Sequence, residues 1–245
     1  MKSFLIIFAI LIFSNTYGQT KDLFIEKLKS PATEQVFPFI VYDAHPNVAR
    51  KINAFLQLEE LEIIVGQNNE DPFRKLEENN YVVNYESWSK LRTVESILTL
   101  MLLGNATGAY SETFNHAYNF DLSSGKSINI EDFLTEEGLL LVKRKVIIHN
   151  QKLIADFIHQ IKSDSMNQFQ KDQLDLYANC IMDDDYGFYT FYFSEATISF
   201  VRGRCASHAV RALDDLGEFV HTFTFEEIRP YLSDYGKSLL VIGNK

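Results

Sequence analysis

The chain has 245 residues, of which 46% are hydrophobic and 13% aromatic, and its formal net charge is -10. This apolar content excludes a disordered chain, because disordered chains lack the residues that build a core. The negative net charge excludes a nucleic-acid-binding function, because phosphates need a basic surface. The charge either attracts a cationic partner or simply keeps the chain dispersed in water.

Residues 1–18 have the pattern of a secretory signal peptide. Lys2 precedes an unbroken apolar run over residues 4–13, and small and polar residues follow. The run is shorter than the roughly 20 apolar residues that a membrane-spanning helix needs. We therefore expect export to the periplasm or the medium, with Gln19 as the first mature residue and no membrane span in the mature chain.

The first half of the chain mixes strand and helix patterns. Residues 21–28 indicate a short helix or a loose lead-in, and residues 34–42 a strand in which Pro38 marks an edge position or a bulge. Apolar residues at helical spacing predict a helix from Pro46 to about Val65, and proline suits the first helical turn. Three segments with strand character follow: 81–89, 93–103 and 111–122.

The second half begins with a turn over residues 121–130, in which Gly125 occupies a position that needs positive φ. A helical turn follows, and then a long helix over about 136–161, in which Asn150 and Gln151 are the candidate point of interruption. The last third contains three strands and a closing helix: 187–193, 196–201, 219–225 and 225–232. This order predicts an α+β fold of antiparallel sheets, with one helix packed in the N-terminal half and a long helix plus a short closing helix in the C-terminal half.

No motif in the chain specifies a reaction. The Gly-x-Ser-x-Gly of serine hydrolases, the His-Glu-x-x-His of zinc proteases and cysteine pairs at zinc spacing are all missing from the sequence. We expect neither a metal nor a cofactor. The acidic run 183–185 could ligate calcium, but a solvated hairpin explains it more simply. The acidic pairs 214–215 and 226–227 are better explained by helix capping and solubility than by acid–base catalysis.

The two cysteines, Cys180 and Cys205, are expected to form a disulfide in an oxidising compartment. The bridge would close a loop of 25 residues, which the chain-entropy model values at about 3 kcal/mol. Alternatively, His208 could activate the thiolate of Cys205 as a nucleophile, and a disulfide would prevent that chemistry.

Aromatic residues alternate over residues 188–193 and 219–225. Alternation with a period of two directs one set toward the core and the other outward. An outward row of tyrosine and histidine could stack on sugar rings or contact a protein partner, and ordinary sheet packing is the alternative. The candidate binding residues are Tyr110, His116, Tyr189 and His221.

Several segments resemble two companion families of exported domains. Residues 34–56, with the pair Ile52-Asn53, resemble the N-terminal strand and helix of DUF4163 domains. Three segments resemble the opening, the first turn and the closing part of DUF3298 domains: 108–122, 124–133 and 188–232. Two segments depart from the family pattern: 107–110 and 205–217. With the signal peptide over 1–18 set apart, the resemblance implies a DUF4163-like sub-domain over 19–105 and a DUF3298-like sub-domain over 106–245.

In such families the domain accompanies a cell-wall polysaccharide deacetylase or forms the lysozyme-sensing outer half of an anti-sigma factor. The resemblance therefore implies a secreted or periplasmic, non-catalytic binding domain that engages a protein, such as a lysozyme-like one, or a cell-wall glycan. Two alternatives stay open. One is a cell-wall hydrolase whose site assembles only in three dimensions, and the other is a structural envelope protein or a toxin-neutralising partner protein.

Overall fold

A computed structural model describes residues 23–29, 36–61, 82–94, 96–107, 111–162, 165–181 and 190–240. Within these ranges the chain forms helices and antiparallel sheets, so the predicted α+β class is confirmed. No helix in these ranges is both long enough and apolar enough to cross a membrane.

The N-terminal layer consists of strand β1 (Leu23–Lys29), strand β2 (Val36–Tyr42) and helix α1 (Pro46–Leu61). The expectation of a short helix or loose lead-in over residues 21–28 was wrong, because β1 pairs antiparallel with the whole of β2. That pairing gives partners to backbone groups of β2 that a helix in the same place would leave exposed.

Pro38 lies in a strand at a sheet edge, as predicted, since β1 and β2 form a two-stranded sheet. The backbone N–H and C=O of Ile40 both bond to a side chain of α1 and therefore point away from β1. Pro38 is two residues from Ile40 and has the same orientation in an antiparallel pair. Its missing N–H therefore removes no hydrogen bond from the ladder.

The central sheet contains β3 (Val82–Val94), β4 (Ile97–Thr107) and β5 (Ser111–Asp121) in that order, all antiparallel. Strand β4 serves two cores. Leu98, Leu100 and Leu102 belong to the cluster that α1 covers, whereas Ile97 belongs to the cluster of the C-terminal half. The predicted boundary between residues 105 and 106 falls inside β4, so this sheet includes residues from both sides of it, and the two-part division itself stays a prediction.

The turn after β5 confirms the role of Gly125, whose φ is +75°. The Asp121 carboxylate accepts hydrogen bonds from the backbone and hydroxyl of Ser123 and from the hydroxyl of Ser124. Burial alone would raise the pKa of Asp121, but these hydrogen bonds hold it below its usual value. A Cβ at Gly125 would also come within 2.9 Å of the carbonyl oxygen of Val48, so glycine is required here for its conformation and for its size.

Three helices follow: α2 (Ile130–Phe133), α3 (Glu136–Ile161) and α4 (Gln168–Ile181). The bounds predicted for the long helix α3 are confirmed, and the side chain of Thr135 caps it by accepting from the backbone N–H of Gly138 at 3.0 Å. Asn150 does not interrupt α3 and is fully buried in it. Helix α4 was not predicted, because its buried stripe includes the polar Gln173 among few apolar residues.

The C-terminal sheet contains β6 (Thr190–Phe193), β7 (Thr197–Arg202) and β8 (Phe219–Thr224), antiparallel and in chain order. Helix α5 (Phe225–Ile228) follows directly, and helix α6 (Asp234–Leu239) extends the helical closing segment beyond the prediction. Phe193, Phe200 and Phe223 of this sheet pack with α2, α3, α5 and α6 in the second core cluster.

Candidate functional site

A groove of about 380 Å³ lies between β2 and α1. Ligand pockets are typically on the order of 300–1,000 Å³ and mostly apolar, so the groove has the size of a binding site. Its most buried apolar lining residues are Ile40 and Ala49. Further apolar lining is contributed by Phe39, Val41, Tyr42, Pro46 and Ala54.

Asn53 fixes the distance between the two walls of the groove. Its amide oxygen accepts from the N–H of Ile40 at 2.8 Å, and its amide nitrogen donates to the C=O of Ile40 at 2.8 Å. The side chain therefore replaces a neighbouring strand at the outer edge of β2. Ile52, the preceding residue, is fully buried in the first core cluster. The Ile52-Asn53 pair thus fixes α1 through one apolar contact and one polar contact.

Three polar side chains of the groove have no partner among the described residues. Asp43 and Arg50 are exposed, Gln57 is half-buried, and none of them makes a hydrogen bond or an ion pair there. Arg50 and Gln57 are seven residues apart on α1, which is two helical turns, so both lie on one face of the helix. Within the described part of the chain, a cation, an anion and an amide are thus available to a ligand without breaking an existing contact.

The described lining of the groove contains few of the side chains that catalysis commonly uses. Among its described lining residues there is one carboxylate, Asp43, and no histidine, cysteine, serine or threonine. General acid–base chemistry needs a proton donor and an acceptor placed on opposite sides of the reacting bond, and nucleophilic catalysis needs an activated nucleophile. These lining residues provide neither arrangement.

His116, a predicted binding residue, lies on β5 and faces α1. Its Nδ1 is 2.8 Å from Oε1 of Glu60, a carboxylate whose side chain is 6% exposed. The hydroxyl of Tyr118 donates to the same oxygen at 2.5 Å, and the ring of Phe114 stacks on His116. Because an ionised carboxylate oxygen can only accept, Nδ1 of His116 is the donor in its contact with Glu60.

His221, the other candidate histidine, does not lie on an outward row. It has the same orientation in β8 as the buried Phe219 and Phe223, and its ring packs at 4.5 Å against that of His149 on α3. Burial, His149 and Lys145 lower the pKa of His221, against a smaller opposing effect of a nearby glutamate. The structure therefore does not bring His116 and His221 into one surface, since they contact different helices.

The other two candidates, Tyr110 and Tyr189, lie outside the described residues, and so does the acidic run 183–185. Within the described ranges, no three histidine, cysteine, aspartate or glutamate side chains converge as a metal site requires.

The predicted disulfide is present and joins Cys180 of α4 to Cys205. The alternative pairing of a Cys205 thiolate with His208 is therefore excluded in this structure. The bridge fixes the end of α4 against the segment that follows β7.

Asp214 corrects the expectation that both acidic pairs serve capping and solubility. It is buried, and one of its carboxylate oxygens accepts from the hydroxyl of Tyr177 at 2.7 Å. That hydroxyl also accepts from the N–H of Leu216, and burial is the main reason why the pKa of Tyr177 rises to about 12. Glu227, in contrast, has the predicted capping role, because it forms a reciprocal capping box with Thr224.

Two solved structures are similar to this chain. One is a DUF3298 family member from Bacteroides fragilis, with a TM-score of 0.55 at 13% identity, covering 89% of this chain and 93% of its own. The chain has the DUF3298 fold. The other is a DUF3298 family protein from Pseudomonas aeruginosa, with a TM-score of 0.53 at 10% identity, covering 87% of this chain and 94% of its own.

At these identities the likeness shows the fold alone. No protein-family model matches the chain, and no curated protein matches it. The DUF3298 part of the resemblance is therefore supported, and the DUF4163 part stays a prediction. The groove residues Asp43, Arg50 and Gln57 were not among the predicted binding residues. A signal for two of them was present, since Arg50 and Gln57 repeat at seven residues beside the apolar stripe of α1.

Proposed function

We propose that the exported chain is a non-catalytic binding domain that engages a protein, such as a lysozyme-like one, or a cell-wall glycan through the groove between β2 and α1. The observation that carries this proposal is the groove itself, in which apolar residues are combined with Asp43, Arg50 and Gln57, whose side chains have no partner among the described residues. The net charge of -10 would add long-range attraction toward a cationic protein.

The proposal is tested by biolayer interferometry on the purified chain, with hen lysozyme and chitohexaose as the two probes. We expect Ala54→Phe, which places a ring in the groove, to weaken binding at least tenfold. Ala155→Phe, which adds the same ring at an exposed position of α3, is the matched control. Lysozyme binding should weaken as salt rises from 50 to 300 mM, because salt screens the attraction. Failure of both probes to bind, or equal binding by both variants, contradicts the proposal.

The hydrolase alternative is favoured by one observation, the pairing of His116 with the nearly buried Glu60. A carboxylate that orients a histidine in this way is a common element of general-base catalysis. Turnover of purified muropeptides by the wild-type chain, lost in His116→Gln, would support this alternative and refute the non-catalytic proposal.

A further inference from the structure

We infer that the groove binds an extended peptide segment of a protein partner, with apolar side chains on the floor and one carboxylate paired with Arg50. This inference rests on the proposed binding function and specifies the class of ligand. Three features support it: the apolar composition of the groove, the spacing of its polar residues, and the hydrogen bonds that already occupy the β2 edge at Ile40.

The apolar part of the groove disfavours a ligand rich in hydroxyl groups. Ile40 is 1% exposed and Ala49 is 6% exposed, and aliphatic or ring carbons surround them. A sugar placed there would bury hydroxyl groups without hydrogen-bonding partners, which is unfavourable. Apolar peptide side chains would instead gain free energy from leaving water.

The polar residues of the groove are spaced for an extended chain. Two turns of α1 separate Arg50 from Gln57, a rise of about 10.5 Å at 1.5 Å per residue. Three residues of an extended peptide cover about 10 Å. A carboxylate opposite Arg50 therefore places a backbone amide, three residues away, opposite Gln57. Asp43 would repel a second acidic group near the start of α1, which favours one direction of the peptide.

The peptide must be recognised mainly through side chains, because the side chain of Asn53 already occupies the centre of the β2 edge. Both backbone groups of Ile40 are bonded to Asn53. A peptide therefore cannot add to β2 as a fully paired third strand, which is the usual source of sequence-independent affinity in strand addition. We accordingly expect a marked dependence on the charge of the peptide.

The test is fluorescence polarisation on the purified chain with a labelled, acetylated and amidated heptapeptide of leucine and serine that carries one central glutamate. Matched peptides carry glutamine or lysine at that position. We expect the glutamate peptide to bind at least tenfold more tightly than the lysine peptide. Arg50→Glu should reverse this preference, whereas Arg144→Glu, the same charge change at an exposed position of α3, should preserve it.

The outcomes separate the inference from the proposed function. Chitohexaose binding that Ala54→Phe blocks, without peptide binding, overturns the peptide inference and leaves the groove as the binding site. Peptide binding whose charge preference is unchanged by Arg50→Glu also overturns the inference. Absence of binding by peptides, chitohexaose and lysozyme alike refutes both. Far-ultraviolet circular dichroism tests whether each variant is folded. If Ala54→Phe is unfolded, the result with Arg50→Glu is used by itself to decide between the outcomes.

Discussion

Replacement of Asn53 by aspartate changes a single NH2 group to an oxygen at the contact that joins α1 to β2. The amide makes two hydrogen bonds of 2.8 Å to Ile40, and Asn53 is 6% exposed. In Asn53→Asp the ionised carboxylate keeps the bond from the N–H of Ile40 but faces its carbonyl oxygen with a second oxygen. Leaving that carbonyl unpaired costs about 1–3 kcal/mol. The desolvated charge adds to this loss, so we expect a total of about 3 kcal/mol or more at neutral pH.

The dependence on pH distinguishes this explanation from a general loss of packing. Burial and the facing carbonyl raise the folded-state pKa of the introduced carboxyl above its unfolded value of about 3.9. The protonated acid can donate to the carbonyl of Ile40, as the amide did. The loss of stability relative to wild type is therefore fully present above the folded-state pKa and shrinks as pH falls through it. Asn53→Ala has no such group, so its own deficit should not change with pH.

Urea unfolding at pH 7.5, 6.0 and 5.0, followed by circular dichroism, measures both effects. Asn47→Asp is the control, because Asn47 is exposed in the first turn of α1, where a carboxylate is neutral or slightly stabilising. A deficit for Asn53→Asp below 1 kcal/mol at pH 7.5 would refute the account of this contact. A deficit that stays constant down to pH 5.0 would refute the protonation argument.

Three further predictions concern the C-terminal half. Replacement of Cys180 and Cys205 by serine opens a loop with a sequence separation of 25. We expect a loss of about 3 kcal/mol, measured by urea unfolding with and without reductant. Tyr177→Phe removes a buried hydroxyl with two partners and should cost about 1–3 kcal/mol, and an unchanged melting temperature would contradict this. Because the pKa of His221 is lowered in the folded state, its contribution to stability is present above about pH 6.5 and is lost as pH falls through the folded value. His221→Gln should therefore flatten the stability profile between pH 7.5 and 5.5, measured by urea unfolding.

The parts of the fold that could be predicted are those that local chemistry determines. Pro46 begins α1, Thr135 caps α3, Gly125 supplies the positive φ of its turn, and Thr224 with Glu227 forms a capping box. Each of these residues acts on backbone groups within a few positions of itself, so the signal is complete in a short window of sequence.

The parts that could not be predicted depend on distant partners. Strand β1 exists because β2 pairs with it, and the groove exists because Asn53 bonds to Ile40, thirteen positions away. Among the candidate binding residues, His221 could have been placed correctly. It alternates with Phe219 and Phe223, so the period of two already directed it inward. The contact of His116 with Glu60 could not have been predicted, since no local sequence pattern near His116 indicates a partner 56 positions away.

Helix α4 was not predicted from the sequence, and the segment over residues 205–217 was left without an explanation. Both shortcomings have the same physical cause. The segment departs from the DUF3298 pattern, and α4 has too few apolar residues to predict a buried face. The two stabilise each other through the Cys180–Cys205 bridge and the contact of Tyr177 with Asp214. They pack in a third core cluster, separate from the cluster that includes α1 and β2. Substitutions in this unit should therefore change stability without altering the charge preference of the groove, and a change in that preference would mean that the two clusters are coupled.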